Sequence, residues 1–228
     1  MANIRSETES RELYRQILTA ATAMFMQKGY EKTSITDIAK MSGVPKSKIL
    51  YEMKSKEDIL GMLVAKFLDG VTEAAYSVLK KLIDGVVLIF MVNEVLQIYM
   101  AEMNEDMRNL YLSAYSMPKT SETVLRRRTD LLYEKFGHMF PTFAVKDFYE
   151  LEIASVGIMR AYMTVKCDMY FTIEAKVERL ITTMLRIYEI DNDVIDEVQE
   201  FIKKIDFESL AKKAVHDAFK ELNIKNNK

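Results

Sequence analysis

Apolar residues recur along this chain at helical intervals. Ile17, Ala20, Ala21, Met24 and Phe25 stand at i, i+3, i+4, i+7 and i+8, a stripe on a first helix that must pack on something. Lys28 gives that helix a basic last turn, and Gly29 suits the left-handed position just past its end. Ser34 opens a second, short helix: its hydroxyl can accept a first-turn N–H, and Asp37 favours the positive end of the dipole. Ile35, Ile38 and Ala39 face inward as far as Ser42-Gly43, where glycine permits the positive φ of a tight turn. Pro45 stands where a first helical residue would. A third helix then runs from Lys46 to about Met53, with Ile49 and Leu50 as its inward candidates. Ser55 caps the next helix, with Glu57 and Asp58 in its first turn.

From there the pattern predicts one helix after another. The expected spans are 56–82, a turn at Asp84-Gly85, then 86–103, 105–116, 120–139, 144–169, 173–190, 193–204 and 207–223. The 86–103 span is apolar nearly all round, as in a helix buried on several sides. The predicted fold is therefore all-α, with about ten to eleven helices. A three-helix N-terminal unit (1–55, helix-turn-helix about 34–53) precedes a larger helical body (56–228). Composition agrees: glycine (7) and proline (3) are too scarce for the turns of an all-β fold. The abundant Met, Leu, Ala, Glu and Lys are good helix formers. Cys167 is alone, which forbids an intrachain disulfide and suits a reducing compartment. The most apolar run, 86–92, is far shorter than the roughly 20 residues that span a bilayer. A soluble, cytoplasmic protein with no membrane partner and no cofactor is expected.

Two short helices joined by a Gly-containing turn and braced by a longer one have the outline of a helix-turn-helix, although any αα-corner shares it. The complement on the third helix points to DNA. Lys46, Ser47, Lys48, Tyr51 and Lys54 supply ligands for phosphates and base edges. Thr33, Ser34 and Thr36 lie at the start of the second helix, where a phosphate would meet the positive dipole end. Charge helps only mildly. Residues 1–60 carry ten Lys/Arg against eight Asp/Glu, in a chain whose net charge is -2.

The segment 33–60, TSITDIAKMSGVPKSKILYEMKSKEDIL, with the preceding AATAMFMQKGY at 20–30, resembles the DNA-binding domain of the TetR family of bacterial regulators. The resemblance implies a homodimer bound to a palindromic operator and released by a small-molecule effector. It implies DNA contact by Lys46, Ser47 and Lys48, and backbone positioning by Lys54 and Lys56. The sequence departs from the family's Leu-Tyr-x-Tyr/His-Phe run: here it reads Ile49-Leu50-Tyr51-Glu52-Met53. Leu50 takes the first aromatic position, and Glu52 puts a carboxylate where a phosphate neighbour is expected, which would weaken non-specific binding. A helical interaction protein that has lost DNA binding is the alternative these departures raise.

The body offers two further patterns. Val177, Leu180, Ile181, Met184, Leu185 and Tyr188, widened by Ile187, form an apolar stripe. Ala154, Gly157 and Ala161 on the preceding helix are small enough to admit a close neighbour. The resemblance implies that these two helices form the dimer face; intrachain core is the other reading. The 16 Met, 12 Tyr and 11 Phe suit an adaptable apolar pocket. Its expected walls are Phe90, Met91, Ile98, Tyr99, Met103, Tyr111, Tyr115, Phe136, Met139, Tyr149, Met159, Tyr162 and Met163, with Asn93 and Gln97 to hold a polar group. Arg126, Arg127 and Arg128 point about 100° apart on a helix and are expected on a solvated face. An enzyme is not expected: there are two distant histidines, one cysteine, and no phosphate loop or metal-ligand spacing.

Overall fold

The structure, a computed structural model, describes residues 7–79 and 85–221. These form eleven α-helices and one short 3₁₀ turn, with no strand among them. The head consists of α1 (Glu7–Lys28), α2 (Ile35–Ser42) and α3 (Lys46–Met53). The body follows as α4 (Lys56–Leu79), α5 (Val86–Glu102), α6 (Glu105–Ser116), α7 (Pro118–Phe136), α8 (Val145–Thr164), α9 (Ile173–Ile187), α10 (Asn192–Ile202) and α11 (Phe207–Glu221). The expected end of the fourth helix and the Asp84 half of the following turn lie outside the described residues.

The head is built from the local signals of its sequence. Ile17, Ala21 and Phe25 on α1, Ile38 on α2 and Ile49 and Met53 on α3 are all buried in one core, with α2 packed against both α1 and α3. Ser34 accepts the Asp37 N–H while Asp37 accepts from the Ser34 N–H and hydroxyl, a reciprocal cap. Gly43 closes α2 at φ 70°, where a side chain would be strained. Pro45 sits one step earlier than expected, as the N-cap of α3. Leu50, expected inward, is exposed, because α3 is a two-turn helix whose buried edge is filled by Ile49 and Met53.

In the body α5 is the axle. It packs against α4, α6, α8, α9, α10 and α11, and Met91, Val92, Val95, Leu96 and Met100 are fully buried. α4 belongs to both halves: Ile59, Leu60 and Leu63 pack in the common core, and α1, α3, α5, α7 and α11 all touch it. Its start is fixed from two sides. The Lys56 ammonium donates to the carbonyls of Tyr30 (2.8 Å) and Glu31 (3.4 Å) and lies over the Tyr30 ring. The Glu57 carboxylate accepts from the backbone N–H groups of Lys119 (2.6 Å) and Thr120 (3.3 Å). These are orphan donors of the α7 N-terminus, whose own N-cap residue, Met117, has no side-chain acceptor. No helix among the described residues is long and apolar enough to cross a membrane.

The stripe assigned to a dimer face on α9 is corrected by this packing. Val177, Leu180, Ile181, Met184, Leu185 and Tyr188 are buried within one chain, and Ile187 is half-buried. An amphipathic stripe reads identically whether its partner is α5 and α8 or a second subunit. The surface that α9 leaves outside is polar: Glu178, Arg179 and Arg186. On α8 the small residues Ala154, Gly157 and Ala161 are exposed, beside an equally exposed Ile153.

Candidate functional site

On α3 the structure separates the expected DNA ligands into two groups. Lys46, Ser47, Tyr51 and Lys54 are exposed, Tyr51 to 82%, while Ile49 and Met53 anchor the helix beneath them. Leu50 stands in the exposed row, and Lys48 is half-buried at its edge. Two ammonium groups, a hydroxyl, a phenol and one aliphatic group on a rigid rod can meet phosphates, base edges and a thymine methyl. Thr36 is exposed at the N-terminus of α2.

Three expected ligands have other work. Thr33 is buried, and its hydroxyl donates to the carbonyls of Gly29 (2.8 Å) and Met24 (3.1 Å), tying off the end of α1. Ser34 spends its oxygen on the Asp37 cap. Hydrogen bonds from Ser34, with Lys28 beside it at 3.0 Å, hold the Asp37 carboxyl well below its usual range. Lys56 is turned into the head, as described. Glu52 is also corrected: its carboxylate bends back to α1, where it accepts from the Tyr14 hydroxyl at 3.2 Å.

The second site lies in the body. A cavity of about 170 Å³ opens between α4, α5 and α7, against roughly 150 Å³ for a core cavity that holds benzene. Leu68, Thr72 and Tyr76 come from α4, Ile89, Phe90, Asn93, Glu94 and Gln97 from α5, and Arg127, Arg128, Leu132, Lys135 and Phe136 from α7. Of the residues expected to line it, Phe90, Asn93, Gln97 and Phe136 do. Met91, Ile98, Met159 and Met163 are ordinary core, and Met103 and Met139 are exposed. Tyr99 stacks on Phe207, Tyr111 donates to the Met100 sulfur, and Tyr115 stands behind the cavity wall, donating to Gln97. Tyr149 and Tyr162 are half-buried on α8, away from this cavity. Aromatic and methionine content pointed to this part of the body without telling wall from filling.

The polar end of the cavity comes from residues not expected there. Arg128 is 7% exposed, against the expectation of a solvated run. Its Nη1 donates to Glu94 (2.6 Å) and its Nε to Glu152 (2.5 Å), both carboxylates being buried. Tyr188 donates to the other Glu152 oxygen and lies 3.4 Å from the Ser155 hydroxyl. The divergence of the arginines does hold: Arg126 pairs with Glu122 and Arg127 with Asp69. Beside this cluster Asn93 donates to Thr72 (3.0 Å), Gln97 to Asn93 (3.3 Å) and Tyr115 to Gln97 (2.8 Å). Two buried atoms of this cluster have no hydrogen-bond partner among the described residues: Glu94 Oε2 and Arg128 Nη2. Burial pushes the Glu94 carboxyl up to about 7, the neighbouring Arg128 opposing and the Glu152 charge adding to the rise. A lone carboxylate in the apolar run 86–101 was the available signal, since such a charge must be paired or neutralised.

No group of three or more metal-ligating side chains occurs among the described residues. Comparison with known proteins places the head. Residues 17–63 match the family described as bacterial regulatory proteins, tetR family. Among solved structures, the chain is similar to one assigned to the TetR-family transcriptional regulators from Mesorhizobium loti MAFF303099. That chain is 20% identical, covering 79% of this chain and 97% of that one, with a TM-score of 0.46. It is also similar to the fatty acid degradation regulator FadR of Bacillus halodurans (15% identity, 90% and 97% covered, TM-score 0.46). A third is the tetR regulator tylp of Streptomyces fradiae (16% identity, 93% and 98% covered, TM-score 0.46). The match over residues 17–63 takes in the whole helix-turn-helix and the first turns of α4, so the head of this chain is similar to the DNA-binding domain of that family.

Proposed function

We propose that the chain is a repressor that binds a palindromic operator as a homodimer and leaves it when a small amphipathic ligand fills the cavity between α4, α5 and α7. The exposed row Lys46, Ser47, Leu50, Tyr51 and Lys54 carries the DNA half of this reading. It is the only face α3 has left once Ile49 and Met53 are buried. Lys46 and Lys54 would bind phosphates at either end of the rod, with Ser47, Leu50 and Tyr51 between them against the groove floor. Lys48 and Thr36 would add contacts at the margin. Two recognition helices reading adjacent half-sites must lie roughly 34 Å apart, which requires a second subunit. The exposed Ile153, Ala154, Gly157 and Ala161 strip of α8 is the surface proposed for that contact.

Release would follow from the shape of α4. Leu68, Thr72 and Tyr76 form one wall of the cavity, and the same helix begins at Lys56, fastened to the head. A ligand that favours a displaced α4 shifts the population toward heads out of register, by no more than its differential affinity for the two arrangements. The functional division at residues 55 and 56 is part of this proposal. The test is an unbiased selection of operator sequences at fixed salt, followed by mobility shift with the selected duplex. Failure to select any sequence at low ionic strength would refute the repressor reading. It would leave the helical interaction protein, for which the turned-back Glu52 now speaks less strongly.

A further inference from the structure

The cavity is electrically lopsided. Its cations are all engaged: Arg128 by Glu94 and Glu152, Arg127 by Asp69, and Lys135 by Glu134 at 2.5 Å. Its amides are engaged too, in the Thr72, Asn93, Gln97 and Tyr115 chain. Among these groups the carboxylates outnumber the cations by one. The surplus falls where Glu94, 2% exposed, keeps an oxygen with no donor. A buried carboxylate in that condition gains most from a donor that also brings positive charge. The rest of the wall is apolar and aromatic, with the rings of Tyr76, Phe90 and Phe136. Ring faces attract cations as well as hydrocarbon.

We propose that this cavity takes a compact lipophilic amine, whose ammonium group donates to Glu94 while its apolar body lies against Phe90, Phe136 and Leu132. The proposal rests on the cavity being the effector site and adds the chemistry of the effector. A cation there completes the pairing of the cluster. A neutral hydroxyl would satisfy the oxygen and leave the surplus charge. A carboxylate would add a second unmatched charge beside Glu94 and Glu152. Arg127 and Lys135, with solvent-exposed side chains and paired at the rim, do not reverse this balance. Arg128 Nη2, the other unpartnered atom of this cluster, favours amines with an oxygen acceptor close by. The volume suits one ring with a short chain rather than a long acyl tail.

The test compares three ligands of nearly one skeleton on the full chain by titration calorimetry: 2-phenylethylamine, 2-phenylethanol and 3-phenylpropanoate. The amine is expected to bind about tenfold or more tighter than the alcohol, with the carboxylate weakest. Glu94→Gln should reduce amine affinity about tenfold and leave the alcohol within about twofold. A second readout needs no variant. Near pH 7 Glu94 is partly protonated, with Arg128, Glu152 and the hydroxyls of Tyr111 and Tyr115 the ionisable groups about it. Amine binding should therefore release part of a proton, seen by titrating in buffers of different ionisation enthalpy, while the alcohol should release none. Tighter binding of the carboxylate, an amine insensitive to Glu94→Gln, or no binding of the three at millimolar concentration overturns the proposal. Operator release is scored separately. Amine bound through Glu94 without release upholds this proposal and refutes the effector reading. Release by the carboxylate alone does the reverse.

Discussion

Replacing Glu94 by glutamine should make this protein more stable at alkaline pH, although it removes one partner of a buried ion pair. The carboxyl ionises at about 7 in the folded chain against 4.5 for an ordinary glutamate, so burial and the Glu152 charge together outweigh the attraction of Arg128. That difference of about 2.5 pH units corresponds to roughly 3 kcal/mol. The direction follows from proton binding. Between pH 4.5 and 7 the folded chain holds a proton that the unfolded chain has released, so stability falls as pH rises through this window. Below pH 4.5 both states are protonated and the contribution is complete; above about 7 it is gone. Glutamine cannot ionise, and Arg128 keeps Glu152 as its counter-charge. Urea unfolding followed by circular dichroism, from pH 5 to pH 8.5, is the assay. Glu94→Gln should gain on the parent chain by about 3 kcal/mol at pH 8.5, and the gain should shrink steadily toward pH 5. Equal stability at pH 8.5, or a loss there, would show that the Arg128 pairing outweighs desolvation and would refute the reasoning.

Other perturbations separate roles that resemble each other in the sequence. Lys46→Ala should weaken operator binding evenly across sequences and lower the slope of log affinity against log salt by about 1; an unchanged slope removes Lys46 from the phosphate contacts. Lys56→Met should instead leave that slope alone and lower stability by about 1–2 kcal/mol, because two backbone carbonyls lose their donor. Glu57→Gln withdraws a charged acceptor from the α7 N-terminus and should destabilise by about 1 kcal/mol in thermal melts. A Cβ added at Gly157 meets no atom within 4 Å in the single chain, so Gly157→Arg should preserve helicity while sedimentation shows a monomer; a dimer would move the subunit contact elsewhere.

What could be read from the sequence was what is local. The Ser34–Asp37 cap, the turn at Gly43 and the α1 stripe act over a few residues, so spacing alone revealed the head. The Arg128 cluster joins residues 24 and 34 apart, and no window of helical periodicity spans it. In the Arg126–Arg128 run geometry correctly forbade convergence, yet it could not say which of three diverging side chains faced inward. The hydroxyl of Thr33 is hidden for a similar reason, since its acceptor at Met24 is nine residues away, about one turn up α1 from its end. On α9 the stripe was found and its partner misassigned, because periodicity reports that a face is covered and not by which chain.

The carboxylate of Glu57 has a consequence for protein engineering. Because the body's α7 borrows its N-terminal acceptor from the first turn of α4, a foreign reading head cannot be grafted wherever the family match stops. A splice after residue 63 would discard Glu57 with the old head and leave α7 uncapped. A splice at 55 would retain Glu57 but oblige the newcomer to offer Lys56 the two carbonyls that Tyr30 and Glu31 offer now. Chimaeras with other sensors should therefore succeed or fail on a few residues at the seam, whatever the quality of either parent.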